Sequence, residues 1–403
     1  GPPMRFSANV EKLKPSATIA VSTRAKELAA EGKDIINLGA GEPDFDTPGF
    51  VADAAVEGIR AGRTRYTPPP GLPELRKAIA DLLSRRAGRE LDWNGVMVTA
   101  GAKQALFNTV FSLFGPGDEV LVAGPYWTSY PALVELARAE PVAAMGDPAD
   151  DFKVTPEILE SHATERTRGL MLNTPNNPTG AVYTLGELRA LAEWARDRGV
   201  WLLCDEIYRN IYHGDDREAA PGLLDLPPES LGDHVLVDGA SKSYAMTGWR
   251  IGYAFTTPEL TKKCSALQSQ VTSNAATPSQ VAALEAFSNT EEASRSIADM
   301  AAAFRRRRDL VQARFDALLP GLDYVRPHGA FYLFFRVDGL FDETIRDATA
   351  WCAHVLEEVG VALVPGAAFG DDRWVRMSYA SSDETLEEAL RRLAAVVQRE
   401  PVG

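Results

Sequence analysis

Val235-Leu236-Val237-Asp238-Gly239-Ala240-Ser241-Lys242-Ser243-Tyr244-Ala245-Met246-Thr247-Gly248-Trp249-Arg250-Ile251-Gly252-Tyr253-Ala254-Phe255 reads as a strand, a loop of small residues and a second strand. The same kind of short apolar run recurs upstream, at Val200–Cys204, Leu170–Asn173, Glu119–Ala123 and Val96–Thr99. Helical patterns fall between several of these runs, from about Lys103 to Phe114 and from Leu185 to Arg198. Gly115-Pro116-Gly117-Asp118 supplies a turn. Apolar strands alternating with helices predict an α/β fold, with a mostly parallel sheet sandwiched by helices.

The pattern changes past about Asn289. Residues 291–319 read as one long helix carrying Arg305-Arg306-Arg307-Arg308. A smaller α+β unit follows, with strands near Phe331–Phe335, Val361–Val364 and Val375–Ser378 and a last helix from Glu384 onward. With Asp299 and Asp309 nearby, the four arginines read as a solvated, salt-bridged helix face and not as a nucleic-acid contact.

A length of 403 residues allows two or three domains. Hydrophobic residues at 45% and charged residues at 24% exclude a disordered chain or a coiled coil. The net charge of -14 argues against general binding to nucleic acid or to anionic membrane. It also requires that any anion site be a local basic pocket. Only three cysteines, Cys204, Cys264 and Cys352, are present. Their odd number and wide spacing exclude a full disulfide framework and a Cys-rich zinc site, and point to a reducing, cytoplasmic compartment. No apolar run approaches the ~20 residues of a spanning helix. Gly1-Pro2-Pro3 before Met4 lacks a signal-peptide core and reads as an appended scar.

Four loops carry candidate chemistry. Lys242 is either an ordinary surface lysine or an amine that forms a Schiff base with an aldehyde, with Ser241 and Arg250 holding an anion such as phosphate. Asp205, at the end of Val200–Cys204, suits a magnesium ligand, a helix cap, or a partner that keeps a pyridine nitrogen protonated. Asn173-Thr174-Pro175-Asn176-Asn177-Pro178-Thr179-Gly180 is a rigid turn offering asparagines to a planar ligand. Thr99-Ala100-Gly101-Ala102-Lys103-Gln104 joins strand to helix, where free N–H groups favour an anion. Its spacing fits neither a Walker A loop nor a dinucleotide fingerprint. Trp127 follows in Pro125-Tyr126-Trp127, as a core residue or as a stacking platform.

Taken together these segments resemble the fold-type I pyridoxal-phosphate-dependent aminotransferases of class I/II, in the bacterial aspartate aminotransferase branch that includes prephenate aminotransferases. The likeness runs from about Leu13 to Tyr379. It rests on Lys14-Pro15-Ser16-Ala17-Thr18, Gly41-Glu42-Pro43-Asp44-Phe45, Tyr66-Thr67-Pro68-Pro69-Pro70-Gly71, Pro175-Asn176-Asn177-Pro178-Thr179-Gly180, Ser241-Lys242, Gly248-Trp249-Arg250 and Val375-Arg376-Met377-Ser378-Tyr379. The resemblance implies that Lys242 links to pyridoxal 5′-phosphate and moves the substrate Cα proton. It implies that Asp205 pairs with the pyridine nitrogen, that Tyr208 and Asn177 bond the ring oxygen, and that Trp127 stacks on the ring. The phosphate is expected among Gly101, Ala102, Lys103, Ser241 and Arg250, with Tyr66 reaching in from the partner of a homodimer. Arg376 is the implied clamp for the substrate α-carboxylate, supported by Gly39 and Asn177.

By the same resemblance Lys103, Ser16 and Thr18 meet the distal carboxylate of aspartate or glutamate. The chain departs from the mammalian type in having no arginine in Gln270–Thr277, which leaves room for aromatic or prephenate-like partners. Lys14 is a candidate for a second carboxylate on a larger ring. The expected division is an N-terminal segment 1–46 contributing to the small domain, a large cofactor-binding domain 47–290, and a C-terminal small domain 291–403. The expected reaction is ping-pong transamination of small-molecule amino acids and 2-oxo acids. The rivals are a lyase or decarboxylase on the same scaffold, and a transcriptional regulator, for whose DNA-binding domain the stretch before Leu13 leaves no room.

Overall fold

The strands flanking the Lys242 loop join five others in a seven-stranded sheet, in a computed structural model that describes residues 1–399. Its order is Val96–Thr99, Gly252–Phe255, His234–Gly239, Trp201–Asp205, Thr167–Asn173, Glu119–Gly124 and Glu140–Met145. Only Gly252–Phe255 runs antiparallel, to both of its neighbours. Most of these strands are buried on both faces, which is why they read as unbroken apolar runs. Glu140–Met145 escapes that pattern: it is an edge strand, half exposed and carrying Pro141.

Register places the carboxyl ends of the parallel strands along one rim. Asn173 pairs with Asp205, and Gly252 lies between Thr99 and Gly239. A Cβ at Gly252 would lie 2.3 Å from the Ala102 nitrogen. The missing side chain lets the helix Gly101–Leu113 begin directly against the sheet.

Beyond Ser288 the 29-residue helix Thr290–Leu318 leads to a four-stranded antiparallel sheet. Its order is Val364–Pro365, Trp374–Ser378, Tyr332–Arg336 and Tyr324–Val325. The single strand expected at 361–364 divides at Leu363. Val361–Ala362 instead pairs in parallel with Ile36–Asn37 near the N-terminus. One apolar cluster joins Leu38, Ile207 and Tyr208 to Phe304, Phe331, Tyr332 and Trp351, so the rim of the large sheet and the C-terminal unit share a core. The helix Asp383–Arg399 closes the description; residues 400–403 of the expected C-terminal domain lie outside the described residues.

The arginine cluster is tied to other elements as well as to its own helix. Arg305 pairs with Asp215 (2.5 Å), Arg307 with Asp44 (2.7 Å) and Arg308 with Asp309 (2.8 Å). All three cysteines are free and buried. Among the described residues no helix is long and apolar enough to cross a membrane, and no group of three or more His, Cys, Asp or Glu gathers as a metal site.

Candidate active site

A cavity of about 660 Å³ opens at the strand rim, walled by the large sheet, the C-terminal unit, Ser16, Thr18, Ile19 and residues 40–42. Lys242 enters it from the turn after His234–Gly239. Its ammonium donates to the Gly41 carbonyl oxygen. Burial pushes its pKa down to about 8; Arg376 and Arg250 press the same way, against Glu42 and Asp205. Near neutral pH an appreciable fraction of this amine is therefore an unprotonated base.

Asp205 ends the strand Trp201–Asp205 and is 3% exposed. Its Oδ2 accepts a hydrogen bond from the Tyr130 hydroxyl at 2.7 Å, and its Oδ1 accepts from the Ile207 N–H at 3.1 Å. Burial raises its pKa to about 6, against the pull of those two bonds. The Asp205 carbonyl accepts from Asn173 Nδ2 (3.0 Å), whose Oδ1 in turn takes the Asn177 N–H (2.8 Å). The turn at 173–180 is thereby fixed to the carboxylate's own strand.

Arg376, 2% exposed in the strand Trp374–Ser378, faces the cavity from the C-terminal unit. Nη1 donates to Asn177 Oδ1 at 2.9 Å and Nη2 to the Gly39 carbonyl at 2.6 Å, while Nε is buried with no partner. A buried guanidinium with an unmet donor is suited to an incoming carboxylate. Its carbon stands 4.4 Å over the Tyr332 ring, and the Tyr332 hydroxyl lies 2.6 Å from that of Tyr208.

One corner of the cavity is built on shape. Gly101 has φ +81°, and a Cβ there would lie 2.3 Å from Arg250 Nη2. The glycine lets the guanidinium lie against the helix N-terminus, so N–H groups and positive charge converge on one point. Ala102 and Ser241 line the same corner. Lys103 stands at the accessible edge, its ammonium 5.0 Å from the centre of the Trp127 ring. Desolvation, then the charge of Arg250, holds its pKa below the ordinary lysine value.

The aminotransferase class I and II profile matches residues 33–393. The chain belongs to the aminotransferase class I and II family. It is 44% identical over 398 residues to the aspartate/prephenate aminotransferase of Cereibacter sphaeroides, covering 97% of this chain and 98% of that one. It is 41% identical over 393 residues to the aspartate aminotransferase of Geobacillus stearothermophilus, with 97% and 98% covered. The aspartate aminotransferase of Thermus thermophilus solved with maleate superposes with a TM-score of 0.91 at 41% identity, over 98% of this chain and 100% of that one. The architecture is the fold-type I α/β arrangement.

In this aminotransferase the cavity gathers Ser16, Thr18, Ala102, Lys103, Trp127, Asn177, Asp205, Tyr208, Ser241, Lys242, Arg250 and Arg376. Gly101 and Gly39 touch it through Arg250 and Arg376. Tyr66 is not brought in: it is 88% exposed on the chain's surface. Lys14 is also exposed and does not line the cavity. The sequence reading assigned no role to Tyr130, Tyr332, Asn173 or Glu42. Glu42 accepts from the Thr247 hydroxyl at 2.5 Å at the cavity wall. Tyr130 stands in the first turn of the helix Ser129–Leu136, and its ring meets that of Trp127 edge-on at 5.5 Å.

Proposed function

We propose that this aminotransferase binds pyridoxal 5′-phosphate and carries amino groups between aspartate or glutamate and a 2-oxo acid such as 2-oxoglutarate or oxaloacetate. One observation carries the reading: a weakly basic buried lysine, a buried carboxylate and a buried arginine with an unmet donor all face a single cavity.

The residues fit the cofactor. Gly101 keeps open a cradle that a Cβ would fill, beside the Arg250 guanidinium. The phosphate is assigned to the N–H groups of Gly101, Ala102 and Lys103, the Ser241 hydroxyl and Arg250. Asp205 is assigned to the ring nitrogen, Tyr208 and Asn177 to the ring oxygen, and Trp127 to the ring face. When bound, the cofactor supplies a carbonyl that takes up the amine and a ring that accepts the electron pair left at Cα.

The chain's own groups do the rest. Arg376 binds the α-carboxylate, its Nη groups already oriented by Gly39 and Asn177 and its Nε free to donate. Lys242, unprotonated in part near pH 7, would take the proton from Cα and deliver it across the transferred nitrogen, two bonds away. Asp205, buried and held by Tyr130, would be the anion that keeps the ring nitrogen protonated. Lys103, Ser16 and Thr18 receive the distal carboxylate. These cations resolve how an acidic protein holds dianionic substrates: the basic groups are concentrated in the pocket.

Two further assignments belong to the same reading. The enzyme is a cytoplasmic homodimer in which the partner subunit's Tyr66 reaches the phosphate, a role consistent with a tyrosine left 88% exposed on the single chain. Residues 47–290 form the large domain; 1–46 and 291–403 form the small one, which Ile36–Asn37 and Val361–Ala362 join in one ladder. Prephenate or an aromatic 2-oxo acid is the second acceptor class, favoured by the absence of arginine in Gln270–Thr277.

The test is a panel of half-reactions. Single amino acids are added to the purified holoenzyme and the absorbance of the bound cofactor is followed. Rapid stoichiometric conversion to the amine form by aspartate and glutamate supports the proposal. Release of CO2 or ammonia without that conversion would establish a lyase or decarboxylase instead.

A further inference from the structure

We infer that Tyr332 is a positioning residue that donates its phenolic proton to Tyr208 and thereby directs the Tyr208 proton into the cavity, toward the cofactor's ring oxygen. This rests on the reading of the cavity as a pyridoxal 5′-phosphate site. Tyr332 is fully buried in the strand Tyr332–Arg336, and its hydroxyl lies 2.6 Å from that of Tyr208. Each phenol has one proton, so this bond commits only one of the two. The direction decides whether Tyr208 has a proton left for a ligand.

Three features set the direction. The Arg376 guanidinium carbon stands 4.4 Å over the Tyr332 ring, where its charge makes that phenol the stronger donor. Burial pushes Tyr208 well above its ordinary pKa, whereas the Arg376 charge holds back the rise at Tyr332. The weaker acid, Tyr208, is thus the acceptor. Finally, the Tyr332 ring has little freedom. It meets Tyr208 edge-on at 5.7 Å and stacks on Phe331 at 4.7 Å, and a Cβ on Gly41 would lie 2.9 Å from its hydroxyl oxygen. The hydroxyl is therefore held against Tyr208. Arg376, Tyr332 and Tyr208 form a chain from the carboxylate clamp to the cofactor oxygen, separate from the bond between Arg376 and Asn177.

The readout is the pH midpoint at which the visible band of the bound cofactor converts between its two forms, measured without substrate. A donor on the ring oxygen draws negative charge from it and lowers the proton affinity of the Lys242 nitrogen beside it. Tyr332→Phe keeps the ring packing and removes only the hydroxyl. Its midpoint is expected to rise, by about three- to tenfold in proton affinity, the reach of one hydrogen bond. Gly41→Ala, which displaces the Tyr332 hydroxyl without altering the ring, should shift the midpoint in the same direction, and it carries the test if Tyr332→Phe fails to fold. In a Tyr208→Phe background, adding Tyr332→Phe should produce no further rise. A midpoint that stays or falls in both single variants overturns the inference, as does a full additional rise in the Tyr208→Phe background. An unsubstituted chain that takes up no pyridoxal 5′-phosphate would instead overturn the cofactor reading beneath it.

Discussion

Asp205→Asn should stabilise the cofactor-free protein while it cripples the enzyme. Asp205 is 3% exposed, and its folded pKa of about 6 stands above the unfolded value of 3.8. A carboxyl shifted upward costs stability when ionised. That cost is fully present above about pH 6 and disappears as the pH falls through 3.8. At ~1.36 kcal/mol per unit, the shift of roughly two units corresponds to about 3 kcal/mol at pH 7.5. Asparagine keeps an acceptor for the Ile207 N–H but turns a donor toward Tyr130. The Tyr130 hydroxyl must then rotate to accept, leaving its proton unpaired at a cost of about 1 kcal/mol. The net expectation is a gain of about 2 kcal/mol at pH 7.5, with no gain near pH 3.8 and a loss of about 1 kcal/mol below it. Urea unfolding of the apo-protein across this range measures it. A variant that is less stable than the parent at pH 7.5 would refute the argument that the ionised carboxylate is strained in the empty site. If Asp205 has its proposed role, the same variant should lose about 10²-fold or more in the half-reaction, because a neutral amide would not hold a proton on the ring nitrogen.

Lys242→Ala should lower the half-reaction rate by at least ~10²–10⁴-fold, since it removes the proposed base; near-normal single turnovers would sink the mechanism. Lys103→Ser should reduce kcat/KM roughly 10- to 100-fold with aspartate, one charge-assisted bond's worth, and far less with phenylalanine, and equal losses with both would remove the distal-carboxylate role. Arg86→Met should destabilise the fold by about 3–5 kcal/mol in urea titrations. It strands the Glu206 carboxylate, whose side chain is fully buried and whose Oε1 lies 2.6 Å from Arg86 Nη2; an unchanged midpoint would show that a neighbouring cation compensates.

Legibility in the sequence followed local chemistry. The strands ending at Thr99, Asn173, Asp205 and Gly239 were readable because double burial makes each an apolar run bounded by small or polar residues. Glu140–Met145 was not, because an edge strand with a proline and alternating exposure lacks that run. Ile36–Asn37 is two residues long and is defined only by its remote partner. The site shows the same division. Lys242, Asp205 and Arg376 sit in motifs whose composition is unusual for a loop or strand end. Tyr332 sits within Phe331-Tyr332-Leu333-Phe334-Phe335, where an aromatic residue reads as core, and only the tertiary fold brings its hydroxyl to Tyr208. Tyr130 looks like a helix residue until Asp205 is placed beside it. Tyr66 has no visible task within one chain, since its surroundings in the single chain are solvent.

The hydrogen bond from Arg376 to the Gly39 carbonyl joins residues 337 positions apart. At ~5–20 residues per second, roughly 20–70 s of synthesis separate the two ends of that bond on the ribosome. The seven-stranded sheet has all its strands by Phe255, well before the arginine is made. A nascent chain thus has the strands of the large sheet, the Gly101 turn and Lys242 well before Arg376 is made. Trp374–Ser378 then brings Arg376 to Asn177 Oδ1 and the Gly39 carbonyl, so the two walls of the cavity meet only once the C-terminal unit has been made.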